Sequence, residues 1–289
     1  MSLTLIVNSN NVLNNGNYSQ FVYQFITGGL TIPEGTQMCL QKAVIPYSWF
    51  NVNQNIYNNN SFQYTFPTST GQQTFSVNLQ NGFYQASDIN NYLEQIFVQN
   101  GQYLVDENGN NVYYISIADD TTFYSVQVIC YALPTSLPSG WTNPANMYLP
   151  TNPITPQLVI LSNNFGYLLG YTAGSYPSSP ASSNVDFLSN TVVNASPVNS
   201  LIFQCNLIEN RAVVPSDILD SMPITSSFGT NIVYQPTFPT WLKVKAGRYN
   251  LMTLQFVDQN FNVVQARDPN LLLTLLIKFP DAPNNFQKL

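Results

Sequence analysis

The side chains that most often carry chemistry are few in this 289-residue chain, and they are widely spaced. Histidine is absent, which removes histidine-based acid–base catalysis, Ser-His and Cys-His nucleophile pairs, and histidine metal ligands. Two pairs of carboxylates, Asp119 with Asp120 and Asp217 with Asp220, have the residue type that glycoside hydrolysis uses. Adjacent aspartates in polar segments are more often turn formers, so we predict no catalytic residue and no enzyme.

The three cysteines, Cys39, Cys130 and Cys205, lie far apart and each within an apolar run. Their odd number and apolar surroundings predict buried thiols in a reducing compartment rather than a disulfide framework. Without a histidine base, none of them is predicted to act as a nucleophile.

A polar segment at residues 105–112 superficially resembles a calcium-binding loop, because Asp106, Asn108 and Asn110 alternate. The glycine of this segment is misplaced for that motif, and no glutamate closes the loop. The segment therefore predicts a hairpin turn, and we expect neither a metal ion nor a cofactor.

Charged residues make up only 8% of the chain, against about 25% in a typical soluble domain. The net charge of −6 and the isoelectric point near 4.3 argue against a phosphate-binding surface, so no specific nucleic acid is expected as a partner. Low charge combined with 18 Tyr and 18 Phe is typical of protein interfaces, but aromatic residues also favour strands. Composition alone leaves a monomer and an oligomer equally open.

No part of the sequence indicates a membrane span or a secretory signal. No stretch reaches the ~20 apolar residues that a transmembrane helix needs. The first residues have no basic segment followed by a long apolar one, so we expect no signal peptide.

Short apolar runs separated by turn residues predict roughly ten strands. The last run, residues 271–279, is rich in Leu and predicts a strand buried on both faces. One helix is predicted to start with Ser87 as N-cap and to end near Gly101, because apolar residues between them recur at helical spacing. A turn is also predicted at residues 14–17.

Together these elements predict an all-β fold, a single jelly-roll β-sandwich of two antiparallel sheets with long loops and one short helix. The jelly-roll domain is predicted to comprise residues 1–132 and 201–289. Residues 133–200 are rich in Pro and Ser, and they are predicted to form an ordered loop insertion. We also expect this segment and the Asn-rich loop at residues 51–60 to sit at the ends of the sandwich.

Several phrases of the sequence resemble a known family of small capsid proteins. Asn81-Gly82-Phe83-Tyr84, followed by the helix pattern from Ser87 to Leu93, is one of them. The others are residues 165–171, 205–210 and 249–270, the last with Asp258-Gln-Asn and Asp268-Pro-Asn. These phrases resemble the minor capsid, or penton, protein of virophages and Polinton-type DNA viruses, and the resemblance extends over nearly the whole chain.

The resemblance implies a single jelly-roll subunit that forms a homopentamer at each icosahedral vertex of a virion assembled inside the infected host cell. The implied partners are other copies of the chain and a double jelly-roll major capsid protein, with further minor capsid proteins or a vertex fibre as additional candidates. In the wider lineage, penton subunits carry an insertion that projects outward, and residues 133–200 are the candidate for it here. The chain lacks the Arg-Gly-Asp tripeptide of a receptor-binding loop, since residues 267–269 read Arg-Asp-Pro.

Two alternatives remain open from the sequence. The chain could be a cement-type minor capsid protein that lies between capsomers. It could also be a β-sandwich carbohydrate or host-attachment module that binds sugars through Trp49, Trp141 or Trp241. Burial of these tryptophans in a core or an interface is the competing interpretation.

Overall fold

The computed structural model of the chain describes residues 2–13, 17–26 and 28–280. The chain divides into two compact units. The terminal unit contains the described residues of Met1–Trp49 and Val198–Leu289, and the inserted unit is Phe50–Pro197. The sequence of the inserted unit therefore interrupts that of the terminal unit. The turn predicted at residues 14–17 falls largely on residues 14–16, which lie outside the described residues.

The described residues form twenty strands and two α-helices, together with a 3₁₀ turn at Ser9–Asn11. The first part of the terminal unit contains β1 (Ser2–Asn8), β2 (Gln20–Gln24), β3 (Leu30–Ile32) and β4 (Gln37–Pro46). The inserted unit contains β5 (Ser61–Thr68), β6 (Gly71–Asn78), α1 (Ala86–Asn100), β7 (Leu104–Val105), β8 (Asn111–Val112), β9 (Ile115–Asp120), β10 (Ser125–Cys130), β11 (Gln157–Ile160), α2 (Asn163–Leu169), β12 (Gly174–Tyr176) and β13 (Val185–Leu188). The terminal unit resumes with β14 (Ser200–Cys205), β15 (Ile218–Pro223), β16 (Asn231–Tyr234), β17 (Leu242–Lys243), β18 (Gly247–Tyr249), β19 (Leu251–Asp258) and β20 (Leu272–Lys278).

The eight principal strands of the terminal unit form two antiparallel sheets. The first sheet has the order β1-β20-β4-β16, with β17 also paired to β4, and the second has the order β15-β14-β19-β2. Along the chain, the strands β1, β2, β4, β14, β15, β16, β19 and β20 pass from one sheet to the other at every step except from β14 to β15, which is the pattern of a jelly roll. The predicted fold class is confirmed for this unit.

The alternation of apolar residues along each strand explains which face of each sheet is buried. In β20 the side chains of Leu273, Leu275 and Ile277 are buried, and the residues between them are half-buried or exposed. In β19 the side chains of Met252 and Leu254 follow the same alternation. The prediction that the last strand is buried on both faces was wrong, because a jelly-roll sheet packs only one face against its partner sheet.

The inserted unit has its own core, with a four-stranded sheet of order β12-β11-β5-β6 and a three-stranded sheet of order β13-β10-β9. Alternate aromatic side chains of β5 point into this core, where Phe62 stacks on Phe165 of α2 with ring centroids 4.8 Å apart. Tyr64 meets Phe97 of α1 edge-on at 5.0 Å. Aromatic packing therefore joins both helices to the four-stranded sheet.

Helix α1 forms because Ile89, Leu93 and Phe97 place one apolar stripe on the core. The helix ends at Gly101, whose φ of +67° is accessible to glycine, as predicted. The N-cap is Gln85 rather than Ser87. The carboxylate of Asp88 accepts a hydrogen bond from the Gln85 amide at 2.9 Å, and this bond fixes the start of the helix two residues earlier than predicted.

The unit boundaries differ from the predicted domain boundaries. Residues 50–132, predicted to be part of the jelly roll, belong with residues 133–197 in the inserted unit. The Pro-rich segment is not one long loop, because it contains α2 and three short strands: β11 pairs with β5, β12 pairs with β11, and β13 pairs with β10. The boundary of the inserted unit depends on backbone pairing between segments that are distant in the sequence. The local distribution of prolines does not predict such pairing.

Candidate functional site

The Asp119-Asp120 pair shapes a hairpin turn. Asp120 ends β9, and its carboxylate accepts hydrogen bonds from the amides of Thr122 at 2.9 Å and Phe123 at 3.3 Å. These bonds form the turn into β10. The structure therefore gives Asp120 a conformational role, and Asp119 lies opposite Val126 in the ladder of β9 and β10.

The second carboxylate pair has two separate sets of partners. Asp217 accepts from the side chain of Gln204 at 3.2 Å. Asp220 accepts from the amide of Ser221 at 2.8 Å and from the hydroxyl of Tyr234. Burial raises the pKa of Asp220, and the two hydrogen bonds oppose this shift. Each carboxylate is thus held in place by its own neighbours.

All three cysteines are buried and unpaired, as the sequence predicts. Burial raises the pKa of Cys130 and of Cys205 to about 12, and it also raises the pKa of Cys39. Because the thiolate is the reactive form, these thiols are poor nucleophiles at neutral pH.

The calcium-like segment is a tight turn between β7 and β8. The carboxylate of Asp106 accepts from the backbone amides of Asn108 at 2.9 Å and Asn110 at 2.8 Å. The hydrogen bonds from Asn110 are the main cause that lowers the pKa of Asp106. Across residues 2–13, 17–26 and 28–280, no cluster of three or more acidic, Cys or His residues could hold a metal ion. No helix in these ranges is long and apolar enough to cross a membrane.

The three tryptophans have different environments. Trp49 is only 2% exposed and packs on Tyr47 with ring centroids 4.5 Å apart, so it is not available to bind a ligand. Trp241 is 38% exposed, and Trp141 is half-buried on the surface of the inserted core.

The Asn-rich loop at residues 51–60 has a firmly anchored start. The buried Asn51 side chain donates to the carbonyls of Tyr84 at 2.7 Å and Ala195 at 2.6 Å, and it accepts from the Tyr84 amide at 2.8 Å. Asn59 is also buried and donates to the Asn51 carbonyl at 2.8 Å. Asparagine therefore replaces backbone pairing inside the unit at these two positions.

The outward face of the first sheet of the terminal unit carries an apolar row that the sequence analysis did not single out. Leu272 of β20 pairs with Val44 of β4, and Val44 pairs with Val233 of β16. Val233 is 58% exposed, and Ile6 on the same face of β1 is 54% exposed. We call Leu272, Val44 and Val233 the outer row. Its signal in the sequence is one apolar residue in each of three strands, at a position where a solvated sheet face would be polar.

Exposed apolar side chains that cluster on one surface mark interaction sites in soluble proteins. The geometry of the terminal unit therefore favours a protein-contacting surface over a reactive centre. Fold and surface together define a class: a single jelly-roll protein that carries a second folded unit in its sequence and an apolar outer sheet face.

Two solved viral structures are similar to the chain. No protein-family model matches the chain, and no curated protein matches it significantly. The mavirus penton protein is similar over 97% of this chain and 99% of its own length, with 9% identity and a TM-score of 0.49. A chain of the Sputnik virophage structure is similar over 96% of this chain and 97% of its own, with 15% identity and a TM-score of 0.40.

Proposed function

We propose that this chain is a structural protein of a viral capsid, and that five copies of it form the capsomer at each icosahedral vertex. The observation that carries the proposal is the jelly-roll strand order of the terminal unit. Double-sheet jelly rolls recur in viral capsid domains and in lectin domains. The sequence resemblance to penton proteins of virophages and Polinton-type DNA viruses favours the capsid role.

The outer row supports a role in assembly. A cyclic ring uses heterologous contacts, so each subunit presents two different surfaces to its neighbours. Leu272, Val44 and Val233 form one apolar surface that such a contact would cover. The low charge of the chain fits the depletion of charged residues at interface centres.

The role we propose is structural and not catalytic. The chain acts in the virion, where it contacts other copies of itself and a double jelly-roll major capsid protein, and it assembles inside the infected host cell. The resemblance implies an insertion that projects outward from the shell. The inserted unit, Phe50–Pro197, replaces residues 133–200 as the candidate for that insertion.

Class averages of electron micrographs of the purified full-length chain test the proposal. Rings with five-fold symmetry are the expected result. Rings of another symmetry would overturn the vertex assignment. Isolated single particles without rings would instead favour a cement-type protein.

A further inference from the structure

The inserted unit contains a surface cavity of about 490 Å³ that none of the features described above explains. Its volume falls within the range of roughly 300–1,000 Å³ that is typical of small-molecule sites. The lining includes three half-buried aromatic residues, Tyr113, Tyr131 and Trp141, together with the buried Tyr114. It also includes the polar side chains of Glu94, Asn111 and Asn184.

The aromatic wall is held in place by the fold. Tyr113, Tyr131 and Trp141 are all half-buried and pack against the core of the inserted unit. The Tyr131 amide donates to the Tyr114 carbonyl at 2.9 Å. Beside Trp141, Thr142 exchanges two backbone hydrogen bonds with Val105 of β7, at 2.9 and 3.0 Å. A ligand would therefore meet aromatic surface that is already positioned.

The polar groups are oriented as well, and each keeps hydrogen-bonding capacity. Asn184 accepts from the Ala132 amide at 2.9 Å, which leaves its NH₂ group as a donor. One oxygen of Glu94 accepts from Asn90 at 2.7 Å, which leaves the other oxygen as an acceptor. Asn111 donates to the Tyr113 hydroxyl at 3.1 Å, and its carbonyl oxygen remains an acceptor.

We propose that this cavity binds a neutral pyranose, as a single sugar or as one unit of a glycan. A pyranose has apolar C–H faces that pack on aromatic rings and hydroxyl groups that need both donors and acceptors. Among the described residues that line the cavity there is no Lys or Arg, and Glu94 provides their one carboxyl group, so an acidic sugar would meet no positive charge. This inference does not depend on the proposed capsid function.

The site binds the sugar without hydrolysing it. Glycoside hydrolysis in most families uses two carboxyl groups about 5–9.5 Å apart that flank the scissile bond. Within residues 2–13, 17–26 and 28–280, Glu94 is the one carboxylic side chain that lines this cavity.

Saturation-transfer NMR on the full-length chain tests the inference, with the methyl pyranosides of glucose, galactose, mannose and N-acetylglucosamine as probes. At least one probe should bind. Trp141→Ala should weaken its binding about tenfold, since it removes the largest aromatic surface of the cavity. Trp241→Ala, at an exposed tryptophan of the other unit, should leave the affinity unchanged.

Asn111→Ala provides a second variant at an exposed position, where loss of folding is not expected. It should weaken binding several-fold, because it removes one hydrogen-bonding group from the site. Failure of every probe to bind the wild-type chain, or binding that neither variant weakens, would overturn the inference. Neither result would bear on ring formation, which the micrographs measure separately.

Discussion

Tyr234 and Asp220 join the two sheets of the jelly roll at their edges. The Tyr234 hydroxyl lies 3.4 Å from each carboxylate oxygen of Asp220. Tyr234 ends β16, the edge strand of the first sheet, and Asp220 lies in β15, the edge strand of the second. The side-chain contact therefore ties together two strands that share no backbone ladder.

Tyr234→Phe should lower the free energy of unfolding by about 1 kcal/mol at neutral pH, because it removes one donor from a partly buried carboxylate. Urea unfolding followed by tryptophan fluorescence measures this loss. The matched control is Tyr249→Phe, whose hydroxyl donates to the exposed Lys245 carbonyl at 3.1 Å, and it should have little effect. Equal losses in the two variants would contradict a stabilising role for the Tyr234–Asp220 bond.

Asp220 should also make stability depend on pH. Burial raises its pKa in the folded chain above the unfolded value of about 3.9, so the folded state binds the proton more tightly. The resulting stabilisation is complete below the unfolded pKa and is lost as pH rises through the folded pKa. Asp220→Asn removes this term, so the thermal midpoint of the variant relative to the wild type should rise with pH just above about pH 4. A difference between variant and wild type that falls as pH rises would mean that the shift has the opposite sign.

Asn51→Ala should destabilise the inserted unit by about 2–4 kcal/mol, because it strips hydrogen bonds from the Tyr84 amide and from the carbonyls of Tyr84 and Ala195. Urea unfolding measures the change. Asn55→Ala, at an exposed position of the same loop, is the control and should stay within about 0.5 kcal/mol of the wild type. If Asn55→Ala lowers the free energy of unfolding as much as Asn51→Ala does, the hydrogen bonds of the buried Asn51 amide are not the cause of the destabilisation.

The three thiols should resist modification in the folded chain. Burial and raised pKa values keep Cys39, Cys130 and Cys205 protonated and inaccessible near pH 8. Titration with a thiol reagent should give no rapid reaction in buffer and three reactive groups in denaturant. Rapid reaction of any thiol in buffer would show that its burial is incomplete.

Deleting residues 133–200 should unfold the inserted unit. The deletion removes β11 and β13, the partners of β5 and β10, and it removes Phe165, which stacks on Phe62. Loss of near-ultraviolet circular dichroism and rapid proteolysis are the expected results.

The control for this deletion replaces all of Phe50–Pro197 with a short Gly-Ser linker. The sheets of the terminal unit contain no strand from the inserted unit, so this variant should keep its jelly roll. A folded, protease-resistant product from the shorter deletion would contradict the unit boundaries.

The outer row should matter for assembly and not for folding. Val233→Asp places a charge on an exposed apolar face, so it should leave stability nearly unchanged while it lowers the assembled mass. Val192→Asp, at an exposed valine of the inserted unit, is the matched control and should assemble as the wild type does. Sedimentation velocity compares the two variants. If Val233→Asp assembles as the wild type does, the outer row is not part of the interface between subunits.

The sequence predicts the elements whose signals are local. The apolar stripe of α1 and its glycine end were predictable because helical periodicity and left-handed caps lie within a few residues. The alternation of Phe62, Tyr64 and Phe66 likewise predicts β5. The jelly-roll class followed from many short strands separated by long connections.

The parts that the sequence could not predict depend on distant pairing. Strands β11, β12 and β13 are three or four residues long, so their apolar pattern is too short to stand out among prolines. The aromatic cavity draws its lining from α1, from the segment around β8 and β9, and from the loops near Tyr131, Trp141 and Asn184. No spacing along the chain brings these segments together before the fold is known.

Light scattering after gel filtration measures the mass of the full-length chain in solution and so reports directly whether the chain forms a ring. A vertex ring that assembles by itself should give a stable particle with five times the 32.3 kDa mass of one chain. A particle that stays at 32.3 kDa at every protein concentration would contradict a self-assembling vertex ring.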